Sequence, residues 1–245
     1  MGKGGIIGVD NTPTTSVASG VWSMREQYNA RKDDIWPGPL STVSFVAVSG
    51  DATSTSSSSA TATISASAAV GDIAIAAYSI DFSSYTLSTP TGWTLIGNGD
   101  TSEFPRMYAF AKILEAGDTG STLSSTISTA EGFSAIIAVF RPDAAITSFT
   151  GRNFTNTKGP ASLSDTLSST GATPLTVAFA FLTGRPTQSP TLTFSGSTIQ
   201  TDSTGGGTRS VGYIVYENGS TPTNHSVSSN DTGRQSLSAF YLDLA

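Results

Sequence analysis

Residues 72–80 read Asp-Ile-Ala-Ile-Ala-Ala-Tyr-Ser-Ile, and this stretch sets the expectation for the fold. Ile73, Ile75 and Ala77 alternate with positions that include Tyr78 and Ile80. Two sets of side chains therefore face opposite ways along an extended strand. The same period of two runs outward on both sides. Val43–Val48, Ala60–Ser65, Trp93–Gly97, Met107–Leu114, Thr122–Ser128 and Phe133–Arg141 each read as strands between Gly-, Pro-, Asp- and Ser-rich turns. The low-complexity stretch 50–59 (GDATSTSSSS) reads as a mobile loop.

The pattern then returns about one hundred residues later. Pro174–Leu182 (PLTVAFAFL) echoes 72–80, and Ser210–Tyr216 echoes Arg106–Lys112. Ser238–Leu244 echoes Ser134–Phe140, Phe149-Thr150-Gly151 echoes Val48-Ser49-Gly50, and Gly219-Ser220-Thr221 echoes Gly117-Asp118-Thr119. A near-constant offset across five segments predicts an internal duplication of domain size, with about seven strands per copy. Even strand spacing predicts an all-β chain of two tandem, jelly-roll-like β-sandwiches, over residues 41–143 and 144–245. One larger jelly roll with a shared core is the alternative. The short link Arg141-Pro142-Asp143-Ala144-Ala145 fits either.

Residues 1–40 differ from this body. They hold two of the three tryptophans, Trp22 and Trp36, and four of the twelve basic residues. Residues 1–15 read as an extended arm. Ser19 is a plausible N-cap, and Val21, Met24 and Tyr28 recur at one helical face. Arg31 and Lys32 suit a helix C-terminus, and Trp36-Pro37-Gly38-Pro39 ends the segment. A helix of about three turns is marginal alone in water, so its apolar face has to dock on its own body or on a neighbouring subunit.

Composition narrows the function classes. Of the 245 residues, 37% are hydrophobic and only 12% charged, with a net charge of −6. A chain with a pI near 4.6 is a poor match to the basic surface that nucleic-acid binding by counterion release requires. With no cysteine, disulfides and thiolate metal sites are excluded. The start, MGKGGIIGVDN, lacks the apolar core of a secretory signal, and no apolar run approaches the roughly 18 residues of a membrane span. The expectation is assembly in the cytoplasm of the producing cell, with no membrane association.

No cluster announces chemistry. His225 is the only histidine, so a Ser-His-Asp triad would have to use it, and no Gly-x-Ser-x-Gly elbow occurs. Asp81, Asp100, Glu103, Glu115, Asp118 and Glu131 could supply a carboxylate pair for glycan hydrolysis, but most fall in turns that favour Asp for backbone bonding. Asn98-Gly99-Asp100 and Asn230-Asp231-Thr232-Gly233 are oxygen-rich, yet neither matches a calcium loop. Gly97-Asn98-Gly99 lacks the rest of a dinucleotide fingerprint. Gly205-Gly206-Gly207 reads as a flexible hairpin tip. Four Asn-x-Ser/Thr sequons occur, about what a Ser/Thr-rich chain yields by chance. No enzymatic activity, cofactor or metal is expected. Aromatic residues are the better recognition candidates. Trp93 reads as core, whereas Phe82 and Tyr85 fall in a loop and suit an exposed contact with a sugar.

The first forty residues resemble the N-terminal module of structural proteins from tailed, particularly marine, bacteriophages. The residues carrying the resemblance are Gly5-Ile6-Ile7-Gly8, Asn11-Thr12-Pro13-Thr14 and Ala18-Ser19-Gly20-Val21-Trp22-Ser23. They continue through Glu26-Gln27-Tyr28, Ala30-Arg31 and Trp36-Pro37. The body also resembles a β-sandwich of phage virion proteins, at Val70-Gly71-Asp72-Ile73, Pro90-Thr91-Gly92-Trp93-Thr94-Leu95-Ile96, Ala116-Gly117-Asp118 and Ile136–Arg141. Trp93 has no tryptophan counterpart near Phe194–Ile199, so the second copy departs from that pattern. The resemblance implies a virion protein attached through residues 1–40, with Val21, Trp22, Met24, Tyr28 and Trp36 at the interface. A tail-associated fibre or adaptor touching the host surface is the first expectation, and a capsid decoration protein is the alternative. A carbohydrate-binding module is a third. Expected partners are tail or capsid subunits, further copies of the chain and a host-surface glycan.

Overall fold

The structure is a computed structural model describing residues 43–52, 57–80, 86–99 and 106–159. Beyond these it describes the strands at 163–165, 175–183, 192–195, 199–200, 209–217, 225–229 and 234–244. The expected helix with Val21, Met24 and Tyr28 lies outside the described residues. The chain divides into two compact units, Met1–Leu40 and Ser41–Ala245.

All fifteen described elements are strands. The first seven are β1 (Val43–Ala52), β2 (Ser57–Thr63), β3 (Ile73–Ile80), β4 (Thr94–Asn98), β5 (Arg106–Ile113), β6 (Thr122–Glu131) and β7 (Phe133–Pro142). The remaining eight are β8 (Phe149–Gly159), β9 (Leu163–Asp165), β10 (Leu175–Thr183), β11 (Leu192–Ser195), β12 (Ile199–Gln200), β13 (Arg209–Glu217), β14 (His225–Ser229) and β15 (Arg234–Leu244). Every strand pair is antiparallel, so the fold is all-β.

The strands form four sheets. One five-stranded sheet runs β1-β7-β3-β5-β4, and β2 pairs with β6 beside it. A second five-stranded sheet runs β8-β15-β10-β13-β12, with a three-stranded sheet β9-β14-β11. The two five-stranded orders are the same when β8 stands for β1, β15 for β7, β10 for β3, β13 for β5 and β12 for β4. No sheet mixes strands from before and after residue 145.

The residues of β3 explain the layering. All eight are buried, and their side chains divide between two apolar clusters. Ile73, Ile75 and Ala77 join one cluster, and Ala74, Ala76, Tyr78 and Ile80 join the other, as the alternation of 72–80 requires. A sheet buried on both faces needs a layer on each side. The inner strands pack small residues beside large ones: Ala76 lies opposite Phe110 and Ile137, and Ala138 opposite Ile75. Tyr78, Phe110, Tyr108 and Phe133 form the aromatic centre of the second cluster. Tyr78 meets Phe110 edge-on at 6.0 Å, and Tyr108 stacks on Phe110 at 6.2 Å. β2 and β6 cover this side with Ala60, Ala62 and Ile127 inward, joined by Ile64 just after β2, and with Thr63, Ser124, Thr126 and Ser128 outward. Hydroxyl-rich strands thus keep one wet face and one dry face.

The expected loop over 50–59 is corrected at both ends. β1 continues through Ala52, opposite Ser134, and β2 begins at Ser57. The long β7 offers partners as far as Ala52, and β6 offers partners from Ser57 onward, so each end of the stretch joins a ladder. Gly50 fits because a Cβ there would come 2.9 Å from the Ala135 carbonyl oxygen.

Candidate functional site

The anchor candidates Val21, Trp22, Met24, Tyr28 and Trp36 and the recognition candidates Phe82 and Tyr85 all lie outside the described residues. What the structure does define is the frame that carries residues 81–85, and that frame is polar.

Pairing registers fix two ends of the first sheet. Val43 opposes Pro142, Ile73 opposes Phe140 and Ile113, and these residues mark a proximal end. Ala52 opposes Ser134, Ile80 opposes Phe133 and Arg106, and these mark a distal end. The chain enters the β unit and leaves β7 at the proximal end.

The proximal end is held by interlocked turns. Asp72 is buried, and its carboxylate accepts from Arg141 Nε at 2.9 Å, Arg141 Nη2 at 2.8 Å and Ala69 N at 2.8 Å. Arg141 Nη2 also donates to the Ser67 carbonyl at 3.1 Å. The fork of a guanidinium on a carboxylate is the strong form of such a pair. It ties the 65–72 turn to the last residues of β7. A second pair lies nearby: Lys112 Nζ donates to Asp118 Oδ1 at 2.8 Å, and Glu115 N donates to Asp118 Oδ2 at 2.7 Å. Burial would raise the Asp118 carboxyl, but those two hydrogen bonds and the Lys112 charge outweigh it and hold Asp118 below its usual 3.8. Gly71, Gly117 and Gly120 take positive φ in these turns, which glycine adopts without a steric cost. Main-chain bonds Gly71 N to Leu114 O and Ile64 N to Ser121 O lock the two turns together.

The distal end contrasts with this. Arg106 is buried at the start of β5, with Nε donating to the Gly99 carbonyl at 3.3 Å. Its guanidinium lies over the Tyr108 ring, 4.8 Å from the centroid. Deeper in the same cluster, burial pushes the Tyr78 phenol up to about 12, with the Ser125 hydroxyl partly opposing it. The two hydroxyls fall short of hydrogen-bond geometry, and Tyr78 Oη has no partner.

The chemistry candidates come apart. Asp118 is a turn residue bound to Lys112, Glu115 is exposed, and Asp81, Asp100 and Glu103 lie outside the described residues. His225 sits on β14 in register with Asp165. Among the described residues no group of three His, Asp or Glu could hold a metal ion. No helix of the described residues is long and apolar enough to cross a membrane. Trp93 is partly buried and packs against the aromatic cluster, which agrees with its reading as a core residue. The Asp72–Arg141 clamp has no sequence signal, because its partners lie 69 residues apart.

Comparison with known protein families, with characterised proteins and with solved structures finds no match.

Proposed function

We propose that this chain is a non-enzymatic structural protein of a tailed-phage virion, a tail-associated fibre or adaptor. Residues 1–40 attach it through Val21, Trp22, Met24, Tyr28 and Trp36. Residues 41–143 and 144–245 are two abutted β-sandwiches displayed for contact with the host surface. The proposal rests on the resemblance of the leader to phage attachment modules, and one observation carries it further. The β unit is polar, with its incoming chain at the clamped proximal end. A displayed module needs this arrangement, with attachment at one pole and the distal strand ends at the other. Phe82 and Tyr85 follow Ile80, the distal residue of β3, and on this reading they are the contacts to a host glycan.

The repeated strand order supports the two-sandwich reading. Each five-stranded sheet has its own small companion: β2 lies against β1 and β7, and β9 lies against β8 and β15.

The test removes residues 1–40 in the phage. The body stays soluble and strand-rich by circular dichroism but is missing from purified particles. Normal incorporation of the truncated chain sinks the anchor. Phe82→Ala with Tyr85→Ala then leaves incorporation intact and reduces adsorption to host cells.

A further inference from the structure

The seam between the two five-stranded sheets has a symmetry of its own. We propose that the β unit is a fused dimer, in which the two halves pack back to back about an approximate two-fold axis running along the strands. This rests on the two-sandwich reading above and goes beyond it, because sandwiches in tandem need not share a face.

Three observations lead there. First, the halves share one apolar cluster. It contains Ile75, Ala109, Ala138 and Phe140 from the first sheet and Phe240 and Leu242 from the second, all nearly fully buried. The link between the halves adds Ile146 to the same cluster. An interface this apolar resembles a core divided in two, which is the character of obligate rather than transient contacts.

Second, the sheets face each other with their strand orders reversed. β4 lies against β8, β5 against β15, and β1 against β13. By place in the sheet, β8 is the equivalent of β1, β15 of β7, and β13 of β5. One edge of the first sheet therefore covers the opposite edge of the second, the order an approximate two-fold produces, with β1 meeting β13, the strand next to the equivalent of β4. β3 and its equivalent β10 lie at the centre of each sheet, next to the axis.

Third, the link fixes the direction. From Pro142 to Phe149 the chain has seven steps, a reach of roughly 25 Å. Packed sheets stand about 10 Å apart, and a ten-residue strand is about 33 Å long. The link can cross between sheets but cannot also climb the length of β7. β8 therefore starts at the proximal end, where β7 stops. Phe149 opposes Leu244, and Leu175 opposes Leu242 and Glu217, so these residues bring the equivalent end of the second sheet to the same pole. Reversed order with equal direction is what an axis parallel to the strands produces.

Local packing follows this arrangement. The register of β4 on β5 shifts at Ile96, which packs against the cluster of the seam. There it meets Gly151 of β8, where a Cβ would lie 2.7 Å from Ile96 Cγ2. Gly151 lets the two edge strands approach. The consequence is a bivalent body: one chain presents the same pole twice, at a spacing set by a rigid seam rather than a tether.

The test cuts the link in the full chain. A protease site is inserted between Ala144 and Ala145, both exposed, and the folded protein is cleaved. The cut protein is expected to elute at the size of the uncut one, with both halves present. Tenfold dilution then lowers the urea midpoint of the cut protein only, because its unfolding has become dissociation. Two smaller, strand-rich species after cleavage would overturn the seam and leave the two-sandwich reading standing. Loss of strand signal in both halves on cleavage would overturn both.

Discussion

Gly151→Ala introduces one methyl group at the seam, and the structure sets its cost. The new Cβ would lie 2.7 Å from Ile96 Cγ2, 2.9 Å from Cδ1 and 3.4 Å from Cβ. Carbon atoms prefer about 3.5–4.0 Å, so Ile96 has to withdraw by about an ångström. Overpacking of this kind costs about 1–3 kcal/mol. Ile96 is only partly buried and can swing outward, which places the cost at the lower end. Replacing glycine also restricts the unfolded chain, a gain of about 0.5 kcal/mol. The net expectation is a loss of about 1 kcal/mol, or about 2–4 °C in Tm for a unit of this size. Ile96→Ala removes Cγ2 and Cδ1, leaving only the ordinary 3.4 Å contact. In that background Gly151→Ala becomes neutral or mildly stabilising, so the two changes couple by roughly 1–1.5 kcal/mol. Thermal and urea unfolding of the four proteins of the cycle measure this. Additivity within about 0.3 kcal/mol would refute the contact between β4 and β8, and with it the reversed order of the sheets.

Tyr78→Phe removes a buried hydroxyl that has no partner, so stability at pH 7 should hold or rise by up to about 1 kcal/mol. The Tyr78 phenol is raised to about 12 from 10.0, so its contribution is complete below pH 10 and is lost as pH climbs toward 12. The phenylalanine variant should therefore lose less stability than the parent over that window, and an identical alkaline profile would count against the burial. Asp118 is depressed, so its contribution is present above 3.8 and is lost as pH falls through the lower folded value. Asp118→Asn should flatten that acid limb, and an unchanged limb in urea titrations would contradict it. Arg141→Ala strands a carboxylate that is 3% exposed and should lower the urea midpoint. Adding Asp72→Ala should recover part of that loss; a further loss in the double variant would show that Asp72 is held by something else.

The strands were legible because a half-buried or doubly buried strand repeats every two residues. Residues 72–80 carry that period on both faces, and β3 shows the two clusters it implies. The partners of those faces were not legible. Ala76 and Ala77 look alike in sequence, yet one packs toward the aromatic cluster and the other toward the seam. The echoes between halves show where periodicity misleads. Ile73 opposes Phe140 and Leu175 opposes Leu242, so β15 follows β7 at an offset of 102, two fewer than the Ser134–Ser238 echo indicates. A slip of two preserves the face, and nothing in the pattern resists it. The Gly50–Gly151 echo fails for another reason. Gly50 opposes Ile136 within its own sheet and makes room for the Ala135 carbonyl, whereas Gly151 opposes Leu242 and makes room for Ile96 across the seam. Two glycines alike in sequence answer different steric demands. The anchor and recognition residues stay readable from sequence alone, since Val21, Trp22, Met24, Tyr28, Trp36, Phe82 and Tyr85 lie outside the described residues.

The most direct measurement of the central claim is cryo-electron microscopy of intact particles, with density for this chain located by its all-β body. The account predicts density on the tail, with residues 1–40 threaded into a tail subunit and the distal ends of β3 and β10 pointing away from the particle. Density spread over the capsid lattice would make it a decoration protein and remove the host-contact role. A particle without the chain would contradict the structural reading altogether.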